Sequence, residues 1–410
     1  MIDSERLLSR FLRYVQIDTQ SDPDSTTYPS TAKQLDLLRL LRDELAELGL
    51  DVDLDAHGYV FATVPATVEG EIPTIGLLAH VDTSPDVSGA GVRPRRVRYE
   101  GGDVELGAGQ VLRPGDSDEL ARHVGHDLIV TDGTTLLGAD DKAGCAEIMA
   151  AVAYLVAHPD VPHGTLRVGF NPDEEIGHGT DHFDLERFGA VAAYTLDGST
   201  AGELQAETFS AAEVRLQIRG RASHAGTAKD ALVNAVKLAA RVVDRLPRNS
   251  FSPETTEGRE GFVHPTIIRG DATAVELRFI ARDYEDDLLE QHVAFLRRIA
   301  AEVAGEEPRA QIDVTSRIQY RNMRDRLAAE PAIVDRAEEA IRRVGLEPRR
   351  TAIRGGTDGS ALTEKGLPTP NLFTGGQEYH SVREWASVQD MAAAAATIVE
   401  LAGVWAEAPA

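Results

Sequence analysis

Residues 74–82 read Thr74-Ile75-Gly76-Leu77-Leu78-Ala79-His80-Val81-Asp82, an apolar run that stops at a histidine and an aspartate. A short apolar run of this kind reads as a strand. The same event recurs twice along the chain. Leu166–Phe170 leads to Asn171-Pro172-Asp173-Glu174-Glu175, and Ala192–Leu196 ends in Asp197-Gly198. A fourth cluster, Gly138-Ala139-Asp140-Asp141-Lys142-Ala143-Gly144, precedes a stretch of Ala, Ile and Met with helical character. Open α/β sheets bind ligands outside the carboxyl ends of their strands. Acids and a histidine at several such ends can therefore converge on one point. Unpaired, these carboxylates would repel and would be costly to bury, and divalent cations resolve both problems.

Outward from these runs, helical and strand-like patterns alternate for most of the chain, which predicts an α/β fold. An amphipathic helix begins at Ser4 as N-cap and carries Leu7, Leu8, Phe11, Leu12 and Val15; a second spans Leu35–Leu48. Further strands are expected at Tyr59–Val64 and Leu128–Val130, and Gly89–Gly125 reads as an irregular excursion. The pattern changes near residue 208. Alternating strands at Ala212–Arg219, Ala274–Arg282 and Gln311–Gln319 are separated by helices at Ala228–Leu246 and Asp286–Val303, with a Pro/Gly/Thr-rich loop at Ser252–Gly261. This predicts a small α+β domain, 209–321, inserted into a discontinuous one, 1–208 with 322–410. In the latter, helices are expected near 332–344 and 387–403 and a strand at Asn371–Phe373.

Composition narrows the function classes. The 410 residues carry 42 Lys and Arg against 67 Asp and Glu, a net charge of −25. So acidic a chain fits neither nucleic acid nor an anionic membrane surface. The single cysteine, Cys145, excludes an intrachain disulfide and reads as a small core residue. No apolar signal core opens the sequence, and the most apolar stretch, Met391–Ala406, carries Glu400 and is too short to span a bilayer. A cytoplasmic protein is expected.

The residue types suggest roles. His80 and Asp82, two apart on a strand, face one side, so the carboxylate can hold the far nitrogen of a metal-bound imidazole. Glu174 and Glu175 point in different directions, one towards a metal and the other towards a water as general base. Between Asp140 and Asp141 the sequence alone makes no choice.

Taken together, His80-Val81-Asp82-Thr83, Gly138–Lys142, Pro172–Glu175, Asp197-Gly198 and His380 resemble the co-catalytic dizinc metallopeptidase family that includes carboxypeptidase G and succinyl-diaminopimelate desuccinylase. The longer blocks Ala79–Pro85, Thr131–Ala143, Ile353–Gly359 and Asn371–Gly376 resemble its tripeptide-aminopeptidase branch. The resemblance covers essentially the whole chain. It implies a mixed-sheet catalytic domain with flanking helices, interrupted by a ferredoxin-like lid and dimerisation domain. It implies two Zn2+ per chain, with Co2+ or Mn2+ as substitutes in vitro. His80, Asp140 and Asp197 would bind one ion and Asp140, Glu175 and His380 the other. Glu174 would be the catalytic base for attack by a metal-bridged hydroxide, with Asp82 orienting His80. His224 would stabilise the oxyanion, in spite of Ala225 where that branch has proline, and Arg282 and Arg354 would bind the substrate carboxylate, since a guanidinium clamps it in a bidentate way. Small peptides are the implied substrates and a homodimer the implied assembly. Related carboxypeptidase, dipeptidase or N-acyl amino acid deacylase activities, and a non-catalytic metal-binding protein on the same fold, are the alternatives.

Three features stand outside this set. His178 with His182, and His123 with His126, have spacings that can bind zinc on a helix, but neither pair follows a strand end, so both read as surface histidines. Gly355-Gly356-Thr357 lacks the lysine and spacing of a phosphate loop; the resemblance implies that this turn approaches the site, with close backbone packing as the reason for its glycines.

Overall fold

The structure, a computed structural model, describes residues 2–407, apart from the side chain of Asp118. It divides into two units. The first comprises residues up to Ala206, Asp325–Thr351 and the chain from Thr357; the second comprises Glu207–Arg324 with Ala352–Gly356.

The first unit is built on a mixed sheet ordered Asp51–Leu54, Val60–Val64, Leu166–Asn171, Ile75–His80, Ala192–Gly198, Asn371–Phe373, Glu203–Thr208 and Arg349–Ile353. Its centre decides the chemistry. Leu166–Asn171, Ile75–His80, Ala192–Gly198 and Asn371–Phe373 are neighbours and mutually parallel, so their carboxyl ends lie on one edge. These strands are almost wholly buried, as strands of a covered parallel sheet must be, and so they read as unbroken apolar runs. The helix Ala139–Ala157 packs against Ile75–His80 and Ala192–Gly198 and against the helices Ser4–Val15 and Val388–Glu407. It is buried on nearly every side, which is why its sequence shows no polar face. Gly144 allows its close approach to the sheet, since a Cβ there would collide with the Leu196 carbonyl.

The second unit has the order strand Ser210–Arg219, helix Ala235–Asp244, strands Phe262–Gly270 and Ala274–Asp283, helix Asp286–Glu306 and strand Gln311–Tyr320. The antiparallel sheet runs Phe262–Gly270, Ala274–Asp283, Ser210–Arg219, Gln311–Tyr320. That βαββαβ arrangement is ferredoxin-like. Val214, Leu216, Ile218, Leu277 and Phe279 from the sheet pack with Leu238, Val242, Leu296 and Val303 from the helices.

Several local expectations are corrected. Asp3, not Ser4, caps the first helix, its carboxylate accepting from the Arg6 amide at 3.1 Å. Gly89–Gly125 is ordered: Arg95–Arg98 joins a four-stranded sheet with Asp127–Val130, Trp385–Ser387 and Gly376–Gln377, and Val104–Gly107 pairs with Gln110–Leu112. Its arginines and glycines obscured one strand, Arg95–Arg98, that is mostly exposed and another, Val104–Gly107, that buries one side only. The helix expected from Ala228 starts at Ala235, because Val233 pairs with Arg221 as a β-bridge and Asn234 caps the helix through the Lys237 amide. The strand Phe262–Gly270 was not expected; it lies at a sheet edge, is largely exposed and contains Pro265.

Candidate active site

The shared strand edge collects the predicted ligands. His80 is the last residue of its strand, Asp197 the penultimate residue of the neighbouring one, and Glu174 and Glu175 lie in the turn after Leu166–Asn171. His380 comes from the chain after Asn371–Phe373, and Asp140 from the first turn of the buried helix, where its backbone departs from helical geometry. A small pocket is lined by His80, Asp141, Asn171, Glu174, Asp197 and Asp358, with Leu78, Ala79 and Thr195.

Asp140 stands between the two histidines. Its Oδ1 is 3.0 Å from His80 Nε2 and its Oδ2 is 3.3 Å from His380 Nε2. His80 Nε2 also lies 3.7 Å from Asp197 Oδ1 and 4.0 Å from Glu174 Oε2, and His380 Nε2 lies 3.0 Å from Glu175 Oε2. In each of the groups His80, Asp140, Asp197 and Asp140, Glu175, His380, one ligand atom per residue falls within 4.8 Å of the others. This geometry separates Asp140 from its neighbour. Asp141 turns inward, accepting from the His80 amide at 3.1 Å and the Gly144 amide at 3.2 Å.

The electrostatics fit a cation. Burial, then the neighbouring Asp140, pushes the Glu175 carboxyl up to about 8, and burial lifts Asp197 to about 6 and Asp358 to about 7. Burial opposes charge on His380, but Asp140 and Glu175 outweigh it and raise its imidazole to about 11. Without positive charge beyond the imidazoles, the group retains protons. Glu175 Oε1 is buried and has no hydrogen-bond partner. Such an orphaned carboxylate oxygen is costly unless a cation meets it.

The supporting residues are equally specific. The Asp82 carboxylate is 3.3 Å from His80 Nδ1 and accepts from the Glu174 and Glu175 amides at 3.0 and 3.2 Å, so one buried acid holds both the ring and the turn. Asp173 holds the other side of that turn, accepting from the Ser30 amide at 2.6 Å and Gln34 Nε2 at 2.7 Å. Glu384 accepts from the Leu137 and Gly138 amides at 2.7 Å each and the Asp140 amide at 3.1 Å, fixing the backbone that presents Asp140. Asp358 accepts from Asn171 Nδ2 at 2.5 Å. The Tyr379 hydroxyl donates to the Gly198 carbonyl at 2.9 Å, tying the residue before His380 to the one after Asp197. Sequence reasoning missed Glu384, Asp358, Asp173 and Tyr379. Asp358 lay inside a quoted block and Asp173 beside the two glutamates, but Glu384 is an isolated acid whose role shows only through its partners.

The three remaining predicted residues lie in the second unit. His224 is exposed, and its Nδ1 accepts from the Gly226 amide at 3.2 Å. Arg354 donates to the carbonyls of Gly258 at 2.7 Å, Glu260 at 3.0 Å and Thr256 at 3.3 Å. Arg282 is half-buried, Nη1 reaching the Arg354 carbonyl at 3.5 Å, while its Nε has no partner. Gly356 packs against the Tyr320 ring, where a Cβ would clash. Of the histidines set aside, His178 and His182 are exposed, but His123 is not a surface residue: it is 5 % exposed and bonded to Asp390. Cys145 is buried as expected.

Residues 131–403 match the model of Peptidase family M20/M25/M40, and the chain belongs to that family. Over 401 residues, 97% of both chains, it is 48% identical to Peptidase T of Geobacillus thermodenitrificans. It shares 27% identity and a TM-score of 0.74 with the crystal structure of aminopeptidase PepT from Bacillus cereus, covering 99% of this chain and 100% of that one. A tripeptidase from Staphylococcus aureus has the same fold, with a TM-score of 0.77 at 24% identity over 100% of both chains. The expected fold and the expected class, a peptide-bond hydrolase of this family, are met.

Proposed function

We propose that the chain is a tripeptide aminopeptidase whose first unit holds two divalent cations, zinc in the first instance. His80, Asp140 and Asp197 hold one ion; Asp140, Glu175 and His380 hold the other; Asp140 bridges. The observation that carries this reading is the division of the Asp140 carboxylate, one oxygen towards each histidine. The donors are nitrogen and oxygen, as zinc accepts. When bound, such a pair of ions supplies Lewis acidity and a nucleophile at neutral pH.

The chain's own groups supply the rest. Glu174, facing the cavity, takes the proton of the attacking water on its carboxylate and returns it to the leaving amine. Burial raises its proton affinity, which suits a group that must hold a proton between two steps. Asp82 sets the His80 ring and the Glu174 turn together. His224 stabilises the oxyanion and Arg282 and Arg354 bind the peptide carboxylate, roles proposed from the family resemblance. The unpartnered Nε of Arg282 supports its part. For Arg354, the substrate has to replace the loop carbonyls that its guanidinium now holds. Assembly as a homodimer through the inserted unit and a cytoplasmic location belong to the same proposal.

The test is a panel of peptides of two, three and four residues, with free and N-acetylated termini, offered to zinc-loaded protein. Cleavage of free tripeptides at the first bond is expected. Preference for blocked substrates contradicts the reading and favours a deacylase or carboxypeptidase of the family. Stoichiometric zinc with no turnover across the panel favours a non-catalytic protein.

A further inference from the structure

A second group of metal-type donors lies apart from the paired ligands just described. His123 and His126 follow the short helix Asp118–Arg122, and Asp390 lies in the first turn of Val388–Glu407. His123 Nε2 is 2.6 Å from Asp390 Oδ2, and His126 Nδ1 is 3.7 Å from Asp390 Oδ1. One ligand atom of each residue lies within 4.8 Å of the others. His123 and Asp390 are buried, while the half-buried His126 leaves a route from solvent.

Two observations mark this as more than a buried ion pair. First, His123 Nδ1 lies 2.6 Å from the Glu119 carbonyl. A carbonyl only accepts, so Nδ1 carries a proton; Nε2 faces the carboxylate and shares a second proton with it, which a cation binding between them would displace. A metal-ligating imidazole is held in this way, with its far nitrogen backed by a carbonyl. Second, Glu147 on the helix Ala139–Ala157 is fully buried, and neither of its carboxylate oxygens has a partner. Burial raises its proton affinity, and the Asp390 carboxylate adds to that. His126 Nδ1 also lies 2.9 Å from Ser387 Oγ, a contact that a bound cation would displace.

We infer that His123 Nε2, His126 Nδ1 and the Asp390 carboxylate form a site for a further divalent cation of zinc type, with water completing the coordination. The ion would have a bracing role. Asp390 packs against Gly375, where a Cβ would meet the Asp390 Cβ at 2.6 Å, and the Ser387 amide donates to the Gly375 carbonyl at 3.0 Å. Gly375 opens the segment that delivers His380. The site therefore fastens the loop before Asp127–Val130 to the C-terminal helix, behind a residue of the dinuclear set.

The experiment loads the full chain with Zn2+, dialyses it against metal-free buffer and counts zinc by emission spectrometry, alongside His126→Ala and His126→Cys. His126→Ala should hold one zinc fewer than the unsubstituted chain with an unchanged far-ultraviolet circular dichroism spectrum. His126→Cys, which restores a zinc ligand, should recover it. With Co2+ as probe, the difference spectrum between the unsubstituted chain and His126→Ala should show the d–d absorption of a four-coordinate site. Equal zinc content in the unsubstituted chain and His126→Ala overturns the proposal. So does loss of zinc accompanied by loss of the folded spectrum, which would make His126 a packing residue.

Discussion

Single residues carry the chemistry, and Glu174 and Asp140 separate most clearly. In the proposed mechanism Glu174, which does not stand between two histidines, moves a proton, and Asp140, which does, holds ions. Replacing Glu174 by glutamine should therefore lower kcat by about 10²–10⁴-fold, the usual contribution of a general base, with metal content unchanged in the same preparation. Asp140→Ala should instead lose metal. The protons of the metal-free site give a further prediction. Glu175, raised to about 8, and His380, raised to about 11, are protonated at neutral pH without metal. Binding must expel those protons, so affinity should rise between pH 6 and pH 8 and calorimetry in buffers of different ionisation enthalpy should record proton release. The sign for stability follows from the same groups. A folded-state value above the unfolded one favours folding below the unfolded value and loses that contribution as pH climbs through the folded one. Metal-free protein should accordingly lose stability on passing from about pH 5 to pH 8, and the zinc-loaded protein should not show that loss; thermal melts at both pH values check this.

Elements explain why the site was legible from sequence and where legibility stopped. Ile75–His80, Leu166–Asn171 and Ala192–Gly198 are buried parallel strands, so each appears as an apolar run, and a candidate site residue lies at or just beyond the end of each. Adjacency in the sheet then brings together groups far apart in sequence, His80 with Glu175 and with Asp197. The choice between Asp140 and Asp141 was closed to the sequence, because it depends on the departure from helical geometry at the start of Ala139–Ala157. Glu384 was invisible for a related reason: its partners are backbone amides, which leave no trace in side-chain identity. His123 was misread because burial by Trp385 and Asp390 comes from the far end of the chain. Two substitutions test the supporting elements. Gly144→Ala should push the helix from the strand that carries Asp197 and cost about 1–3 kcal/mol in denaturant unfolding, the range for overpacking. Glu384→Gln leaves side-chain volume nearly constant and should weaken metal affinity by about 10–100-fold, as loss of a supporting partner does.

At the scale of the whole molecule, the net charge of −25 first served to exclude partners. Asp82, Asp140, Glu174, Glu175 and Asp197 explain only a small part of it, and two divalent ions would bring it to −25 + 4 = −21. Asp141, Glu147, Asp173, Asp358, Glu384 and Asp390 are buried as well; most of the other acids lie on the surface, where they favour solubility. No helix among the described residues is long and apolar enough to cross a membrane. The proposed homodimer predicts a sedimentation mass near twice 44.3 kDa; a mass that stays at one chain across a dilution series contradicts it. The central claim is hydrolysis of a free tripeptide by a site that requires metal, and the most direct measurement is the rate of tripeptide cleavage before chelation, after chelation and after zinc is returned. The account predicts activity, its loss and its recovery in that order. Cleavage that continues unchanged in chelator, with the zinc shown to be gone, would contradict it.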